Sequence, residues 1–258
     1  MVKPWADGPF KLLETPAHRN ARTGKTITKN EEGAHKLANV MALVHNILIR
    51  GLNAIYLQAP NISLEQDIKD FCTFMYAWSL TLHVHHDNEE SLGFPLLEEM
   101  TGVKGLLDIN VQQHRLFDEG LKSFDLYVAR VKDGSEKYDG AHVRQLIDKL
   151  APPLFEHLAA EVLTMEALKE HDAKIDWVNY NKKIEEHSVK GSEMYHETPF
   201  VMTNLDATFE QPLHHAIWPP FPWFAGLLLR LVYVPRNAGA WRFSSCDTKG
   251  RPKDLPFV

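Results

Sequence analysis

The stretches LHVHHDNEESL (residues 82–92) and FEHLAAEVL (155–163) decide the fold of this chain. Each stretch places a His and a Glu four residues apart on an otherwise apolar face. The two pairs are His85 with Glu89 and His157 with Glu161. At ~100° per residue, positions i and i+4 lie ~40° apart on a helix, so each pair shares one face. The pattern predicts two amphipathic helices that each turn a His and a Glu toward the core.

Two further stretches each place one His in a similar apolar face. They are MALVHNILIRGLNAIY (41–56), which contains His45, and VQQHRLFDEGL (111–121), which contains His114. Burying an imidazole or a carboxylate costs several kcal/mol unless the group is paired or bound to a metal. Because four helices repeat that cost, the sequence predicts one metal centre shared between them.

Other polar residues near these four motifs have less certain roles. The same helical angle puts His83, His86, Asp87 and Glu90 on the face opposite His85, which predicts a solvated surface. Asn110 lies one turn before His114 and Asp118 one turn after it. Asp118 has three open interpretations: a metal ligand, an acceptor for an imidazole N–H, or a surface group.

Composition narrows the class of protein. The chain has 258 residues, 44% of them hydrophobic, and a net charge of -6 without a long basic cluster, which argues against a nucleic-acid partner. Two cysteines and a start unlike a signal peptide predict a cytoplasmic protein. The apolar run 223–234 is broken by Arg230 and is too short for a bilayer core of ~30 Å, so we expect no stable membrane span. The oligomeric state is left open.

The chain divides into three parts. Residues 1–30 are expected to form an extended arm, residues 31–172 an all-α, antiparallel up-down four-helix bundle, and residues 173–258 an irregular extension. Helices are predicted at 32–58, 64–91, 103–131 and 139–170, with a kink or restart at Pro152 and Pro153. The extension is rich in proline and aromatic residues, and we expect it to pack on the bundle and close the metal pocket. Its aromatic residues include Trp218, Phe221, Trp223, Phe224, Trp241 and Phe243.

The ligand types restrict the metal. Imidazole and carboxylate without thiolate suit iron, zinc or manganese and weaken the case for structural zinc. Four His and two Glu exceed the four ligands of one tetrahedral zinc, and they can serve two metals if the Glu residues bridge. Because a helix bundle is an established frame for a two-iron carboxylate site, two non-haem iron ions are the preferred cofactor, ahead of zinc or manganese.

These motifs resemble the hemerythrin-like (HHE cation-binding) domain. HHDNEESLGFPLL (85–97) is similar to the signature of the second helix of that domain, and HLAAEV (157–162) to that of the fourth. VHNILIRGL (44–52) and QQHRLF (112–117) resemble the first-helix and third-helix motifs. The resemblance covers the whole predicted bundle and implies a non-haem di-iron centre that meets dioxygen. WPPFPWF (218–224) and AWRFSSCD (240–247) resemble the C-terminal extension of fungal members.

The chain departs from the oxygen-carrying members of that family. The carriers have two His four residues apart on the third helix, where this chain has Asn110 and Asp118 beside His114. We interpret this as an exchange of imidazole for carboxylate, which favours oxygen activation over reversible carriage. Three hypotheses follow: a di-iron oxidase or oxygenase acting on a small organic substrate, a binding, sensing or storage protein for iron, oxygen or nitric oxide, and a bundle with a purely structural metal. The sequence does not identify catalytic residues beyond the ligands.

Overall fold

The computed structural model describes residues 4–25, 33–211, 213 and 223–258, and within these ranges the fold is all-α without β-strands. The predicted packing of Trp218, Phe221, Trp223 and Phe224 falls outside the described residues and side chains. The helices are α1 (Pro16–Arg22), α2 (Ala34–Gln58), α3 (Glu65–Asn88), α4 (Phe94–Thr101), α5 (Asp108–Asp133), α6 (Gly140–Ala167), α7 (Trp177–Gly191), α8 (Glu197–Asn204), α9 (Trp223–Leu228) and α10 (Val234–Arg236).

Four long helices form the predicted bundle. α2, α3, α5 and α6 pack in a ring in which α2 contacts α3, α3 contacts α5, α5 contacts α6 and α6 closes on α2. Short connections join α2 to α3 and α5 to α6, while the π turn and α4 lie between α3 and α5, and the order of the helices is that of an up-down bundle. α5 ends at Gly134, which adopts a φ of 82° that favours glycine, as the Asp133-Gly134 pair predicts. The apolar stripes of the four helices meet in one core.

The second predicted helix has a different end from the one expected at 91. α3 ends at Asn88, a π-helical turn follows at Glu89–Gly93, and α4 then continues to Thr101. Pro95 lies in the first turn of α4, where its missing N–H costs nothing, so it starts a helix here and does not terminate one. The π turn inserts an extra residue into the helical register next to the Glu of the motif.

The fourth helix runs without interruption through its two prolines. Of the kink or restart expected at Pro152 and Pro153, the restart does not occur, because α6 spans Gly140–Ala167 as one helix that contains both prolines. The helix begins at Asp139, whose side chain accepts hydrogen bonds from the N–H groups of Ala141 and His142. Packing of α6 against both α2 and α5 offsets the backbone hydrogen bonds that the prolines remove.

The N-terminal arm is held along α2 by asparagine side chains at heptad spacing. Asn46 accepts from Leu13 N at 2.7 Å and donates to Leu13 O at 2.9 Å. Asn53 makes the same pair of bonds with Phe10, at 2.9 and 2.8 Å. The extended backbone predicted for residues 1–30 is thus found at this contact, but 16–22 form the short helix α1.

One segment of the described chain is long and apolar enough to cross a membrane. It is 34–61, which comprises α2 and the turn after it, and not the run 223–234 singled out in the sequence. Within its most apolar window, 72% of the segment is buried inside the protein. That burial identifies the segment as the core helix of the bundle.

The C-terminal extension packs mainly on the half of the bundle that contains the N-terminal part of α3. Phe243 lies with its ring centroid 4.9 Å from that of Phe71, and Phe200 of α8 lies 5.6 Å from Phe74. Trp241 and Phe243 are buried. Trp241 and Phe243 do not close the metal pocket as expected, because the predicted ligands of α3 lie at the other end of that helix.

Candidate metal centre

The bundle brings all six predicted helical ligands together, and a seventh residue joins them. The ligand atoms form two groups, in each of which all the atoms lie within 4.8 Å of one another. The His45 group consists of His45, His85, Glu89 and Glu161, and the His114 group consists of His86, Glu89, His114 and His157. Because Glu89 belongs to both groups, the arrangement has the form of two adjacent sites joined by a carboxylate.

The two glutamates span the space between the groups. Oε1 of Glu89 lies 3.2 Å from Nε2 of His85, and its Oε2 lies 3.7 Å from Nε2 of His114. Oε2 of Glu161 lies 3.3 Å from Nε2 of His45 and 3.5 Å from Nε2 of His157. Each carboxylate therefore faces one imidazole of either group, which is the position of a bridging ligand.

Hydrogen bonds outside the centre fix the direction of three imidazoles. Nδ1 of His45 lies 2.8 Å from Leu158 O. Nδ1 of His114 lies 2.6 Å from Oε1 of Glu90, and Nδ1 of His157 lies 3.3 Å from Oε1 of Gln113. Because these oxygens accept, each Nδ1 carries the proton and each Nε2 turns a lone pair inward.

The inward Nε2 atoms lie closer together than two unprotonated nitrogen atoms normally do. Nε2 of His114 lies 3.1 Å from Nε2 of His157, and both are lone-pair atoms. A second pair, Nε2 of His45 and Nε2 of His85, is also 3.1 Å apart. Since two facing lone pairs repel, a cation between Nε2 of His114 and Nε2 of His157 accounts for their distance better than a hydrogen bond does.

Unsatisfied polar atoms support the same conclusion. Both carboxylate oxygens of Glu89, both of Glu161, and Nε2 of His86 are buried without a hydrogen-bond partner. Leaving one such group unpaired costs ~1–3 kcal/mol, and more when it is charged. Five unsatisfied atoms at one place are therefore expected only if something else, such as a metal ion, binds them.

The charges of the centre also favour a cation. Burial lowers the pKa of His85 to about 3 and that of His157 to about 3, so these imidazoles are neutral near pH 7. Burial raises the pKa of Glu89 well above its usual range, and the negative charges of Glu161 and Glu90 raise it further. Burial also raises the pKa of Glu161, but its hydrogen bond with His45 and the charges of the surrounding imidazoles outweigh this and lower it to about 2. Because that lowering needs charged imidazoles and His85 and His157 are neutral, metal ions suit the two carboxylates as counter-charge. The donor set of nitrogen and oxygen fits such ions.

His86 corrects the helical facing deduced from the sequence. It was expected on the solvated face, but it is buried, and its ring centroid lies 4.1 Å from that of His114. His85, the preceding residue, lies on the other side, with its ring centroid 5.1 Å from that of His45. α3 packs between α2 and α5, so a wide part of its surface faces other helices. Two consecutive residues of α3 can therefore reach different ligand groups. His83 is exposed as expected and contacts Asp125.

Glu90 also has a different role from the one expected. Its side chain is 43% exposed, but it accepts the outward N–H of His114 and so orients that ring. Asp118 is half-buried and belongs to neither ligand group. Asn110, one turn before His114, is completely buried, and its amide has no hydrogen-bond partner among the described residues.

The protein comparisons agree with this geometry. Residues 36–171 match the profile of the hemerythrin HHE cation binding domain. The chain belongs to the hemerythrin HHE cation-binding family. A curated relative, the "Dimeric xanthone biosynthesis cluster protein R11" of Cryptosporiopsis sp. (strain 8999), is 33% identical over 262 residues, which cover 99% of this chain and 94% of the relative. No solved structure matches the chain significantly. The predicted resemblance to the family is confirmed, and the match to R11 extends through the C-terminal extension.

The hemerythrin-like centre of this chain contains more histidines than the four predicted from the sequence. With His86 included, five His and two Glu line the two groups. His86 of α3 adds a fifth imidazole to the centre. The number of ligands therefore no longer supports the predicted exchange of an imidazole for a carboxylate on α5. Irreversible use of oxygen does not follow from the ligand count.

Proposed function

We propose that this hemerythrin-like protein holds two iron ions and uses dioxygen to oxidise a small organic substrate. Metal binding is supported by the two buried groups of His and Glu side chains that share Glu89. Iron is preferred because zinc has no redox chemistry and because bundles with bridging carboxylates commonly hold two irons. The oxidation part rests on the relative in a biosynthesis cluster. A xanthone is an aromatic compound, so we propose an aromatic or phenolic substrate.

The side chains of this chain have distinct tasks in such a centre. Bound iron would supply the capacity to bind and reduce dioxygen. Nε2 of His45, His85, His86, His114 and His157 would hold the two ions. Glu89 and Glu161 neutralise charge and fix the separation of the two groups. Glu90 keeps the proton of His114 on Nδ1, so that Nε2 stays available as a donor.

The wall of the centre excludes water from these groups. His45, His157 and Glu161 are completely buried, and the side chain of His85 is 12% exposed. A ligand that enters from solvent therefore reaches the centre on the side of His85 and Glu89. The cavity of about 680 Å³ that Ile62, Tyr127 and Tyr138 line lies at the opposite end of the bundle and includes no ligand residue. We propose that the substrate does not bind there.

A second function is favoured by the same burial. A centre this enclosed suits a non-catalytic protein that binds, senses or stores iron, oxygen or nitric oxide. Two buried cysteines without a disulfide agree with the proposed cytoplasmic location for either function. The third hypothesis, a structural metal, predicts that the iron does not react with oxygen at all.

One experiment separates these functions. The protein is loaded with ferrous iron without oxygen, exposed to oxygen, and followed by absorbance and Mössbauer spectroscopy. An oxidase or oxygenase should give a ferric product that does not return to the ferrous form when oxygen is removed. Clean reversible deoxygenation over many cycles would instead support binding without oxidation. Ferrous iron that remains ferrous in oxygen would support a structural metal.

A further inference from the structure

Helix α7 covers the end of the bundle that contains the metal ligands. It lies outside the segment that matches the family profile, 36–171. Asp176 caps the helix by accepting a hydrogen bond from Asn179 N. Trp177 and Tyr180 are buried and pack in a core cluster that also contains residues of α2, α4 and α6.

The hydroxyl of Tyr180 lies next to the turn that carries Glu89. A Cβ atom built on Gly93 would lie 3.5 Å from Oη of Tyr180, and Gly93 is the last residue of the π turn that Glu89 begins. The side chain of Tyr180 is 95% buried. Burial raises the pKa of the phenol, and the negative charges of Glu89 and Glu161 raise it further.

No group of the described protein hydrogen-bonds this phenol, but Oη is not among the fully enclosed polar atoms, so the hydroxyl keeps contact with solvent. The ring of Tyr180 is buried, while its O–H group stays available as a donor at the edge of the core. The O–H group is a donor beside the turn that begins at Glu89, the bridging carboxylate whose side chain is 9% exposed. A small anion bound at the metal pair beside this turn would present an acceptor to the hydroxyl in place of water.

We propose that Tyr180 donates a hydrogen bond to a small anionic ligand bound at the metal pair, so that α7 supplies a ligand-selecting residue from outside the bundle. Tyr180 thus makes the C-terminal extension part of the centre. The proposal rests on the proposed iron site. Tyr180 acts as a neutral donor and not as a metal ligand, because a phenolate would add a third anion beside Glu89 and Glu161.

The test uses azide as the probe and full-length, ferric-iron-loaded protein. Tyr180→Phe keeps the ring in place and removes the O–H group. Iron content should stay at the wild-type value, while the Kd for azide, measured by absorbance titration, should rise about tenfold, near the lower end for one hydrogen bond to a charged group. Tyr138→Phe is the matched control, because that hydroxyl donates to Ala59 O at the far end of the bundle and its loss should leave the Kd unchanged.

The outcomes distinguish this inference from the proposed function. Equal azide affinity in wild type and Tyr180→Phe, with iron bound in both, would refute the role of Tyr180 alone. An intense visible phenolate-to-iron band that disappears in Tyr180→Phe would also refute it, because the residue would then be a ligand. A wild-type protein that binds no iron would overturn the proposed function, and this inference with it.

Discussion

Oε1 of Glu90 lies 2.6 Å from Nδ1 of His114, so a partly exposed carboxylate holds a buried imidazole in the orientation that a metal ligand needs. Its neighbour in the chain, Glu89, faces the opposite way and joins the two ligand groups. The π turn that begins at Glu89 lets consecutive acidic residues serve the inner and outer sides of one centre.

Glu90 should therefore affect metal binding although it lies outside both groups. Glu90→Ala is expected to weaken iron binding by about 10–100-fold, the usual cost of losing an outer partner of a ligand His. Competition with a chelator measures the affinity. Asp118→Ala is the control, because Asp118 belongs to neither group. If the Asp118 variant loses iron as readily as the Glu90 variant, the assigned orientation of α5 is wrong.

His86 should be needed for only one of the two metals. His86→Ala removes a ligand of the His114 group and leaves the His45 group complete, so iron content is expected to fall from two ions toward one per chain. His83→Ala, three residues earlier on the same helix, should retain both, because His83 is exposed and contacts Asp125. Metal analysis of both variants after the same loading gives the answer. Equal iron content in the two variants would mean that His86 is not a metal ligand and lies on the outer face of α3.

Gly51 should be essential for docking of α8 on the bundle. A Cβ atom at Gly51 would lie 2.3 Å from the ring of Phe200, so Gly51→Ala is expected to lower the free energy of unfolding by ~1–3 kcal/mol. Urea unfolding followed by circular dichroism measures it. Gly191→Ala serves as the control, since a Cβ atom there meets nothing within 4 Å. A Gly51 variant as stable as wild type would mean that Phe200 does not pack where the structure places it.

Asn46 should stabilise the attachment of the N-terminal arm. Asn46→Ala leaves the N–H and the C=O of Leu13 without their partners, which is expected to cost ~1–3 kcal/mol of stability. The arm should also become more sensitive to a protease that cuts after Lys11. Asn61→Ala is the comparison, because its one hydrogen bond, to Phe257 O, is exposed. Unchanged stability and protease resistance in the Asn46 variant would argue against a docked arm.

The repeated spacing made much of the site predictable from the sequence. Four amphipathic helices and their approximate ends follow from apolar periodicity, and the spacing of His85 to Glu89 and of His157 to Glu161 places each pair on one face. The structure brings these residues together with His45 and His114. Local periodicity is enough here because each helix contributes its ligands at one level of a regular bundle.

The features that the sequence did not predict depend on contacts between helices. His86 reaches the centre because α3 lies between two ligand-bearing neighbours, a relationship that a single-helix angle does not contain. The π turn at Glu89 has no periodicity signal of its own. Glu90 becomes important only through His114 on another helix. The asparagines at heptad spacing on α2 were a usable signal for the docked arm, since Asn46 and Asn53 interrupt an apolar helix at a spacing of two turns.

Metal analysis of the full-length, iron-loaded protein tests the central claim most directly. Two buried ligand groups joined by Glu89 predict two iron ions per chain, with Mössbauer spectra of a coupled pair. The Glu89→Ala variant should lose most of this iron, because both groups lose a ligand. One tightly bound zinc ion, with no uptake of iron, would contradict the account.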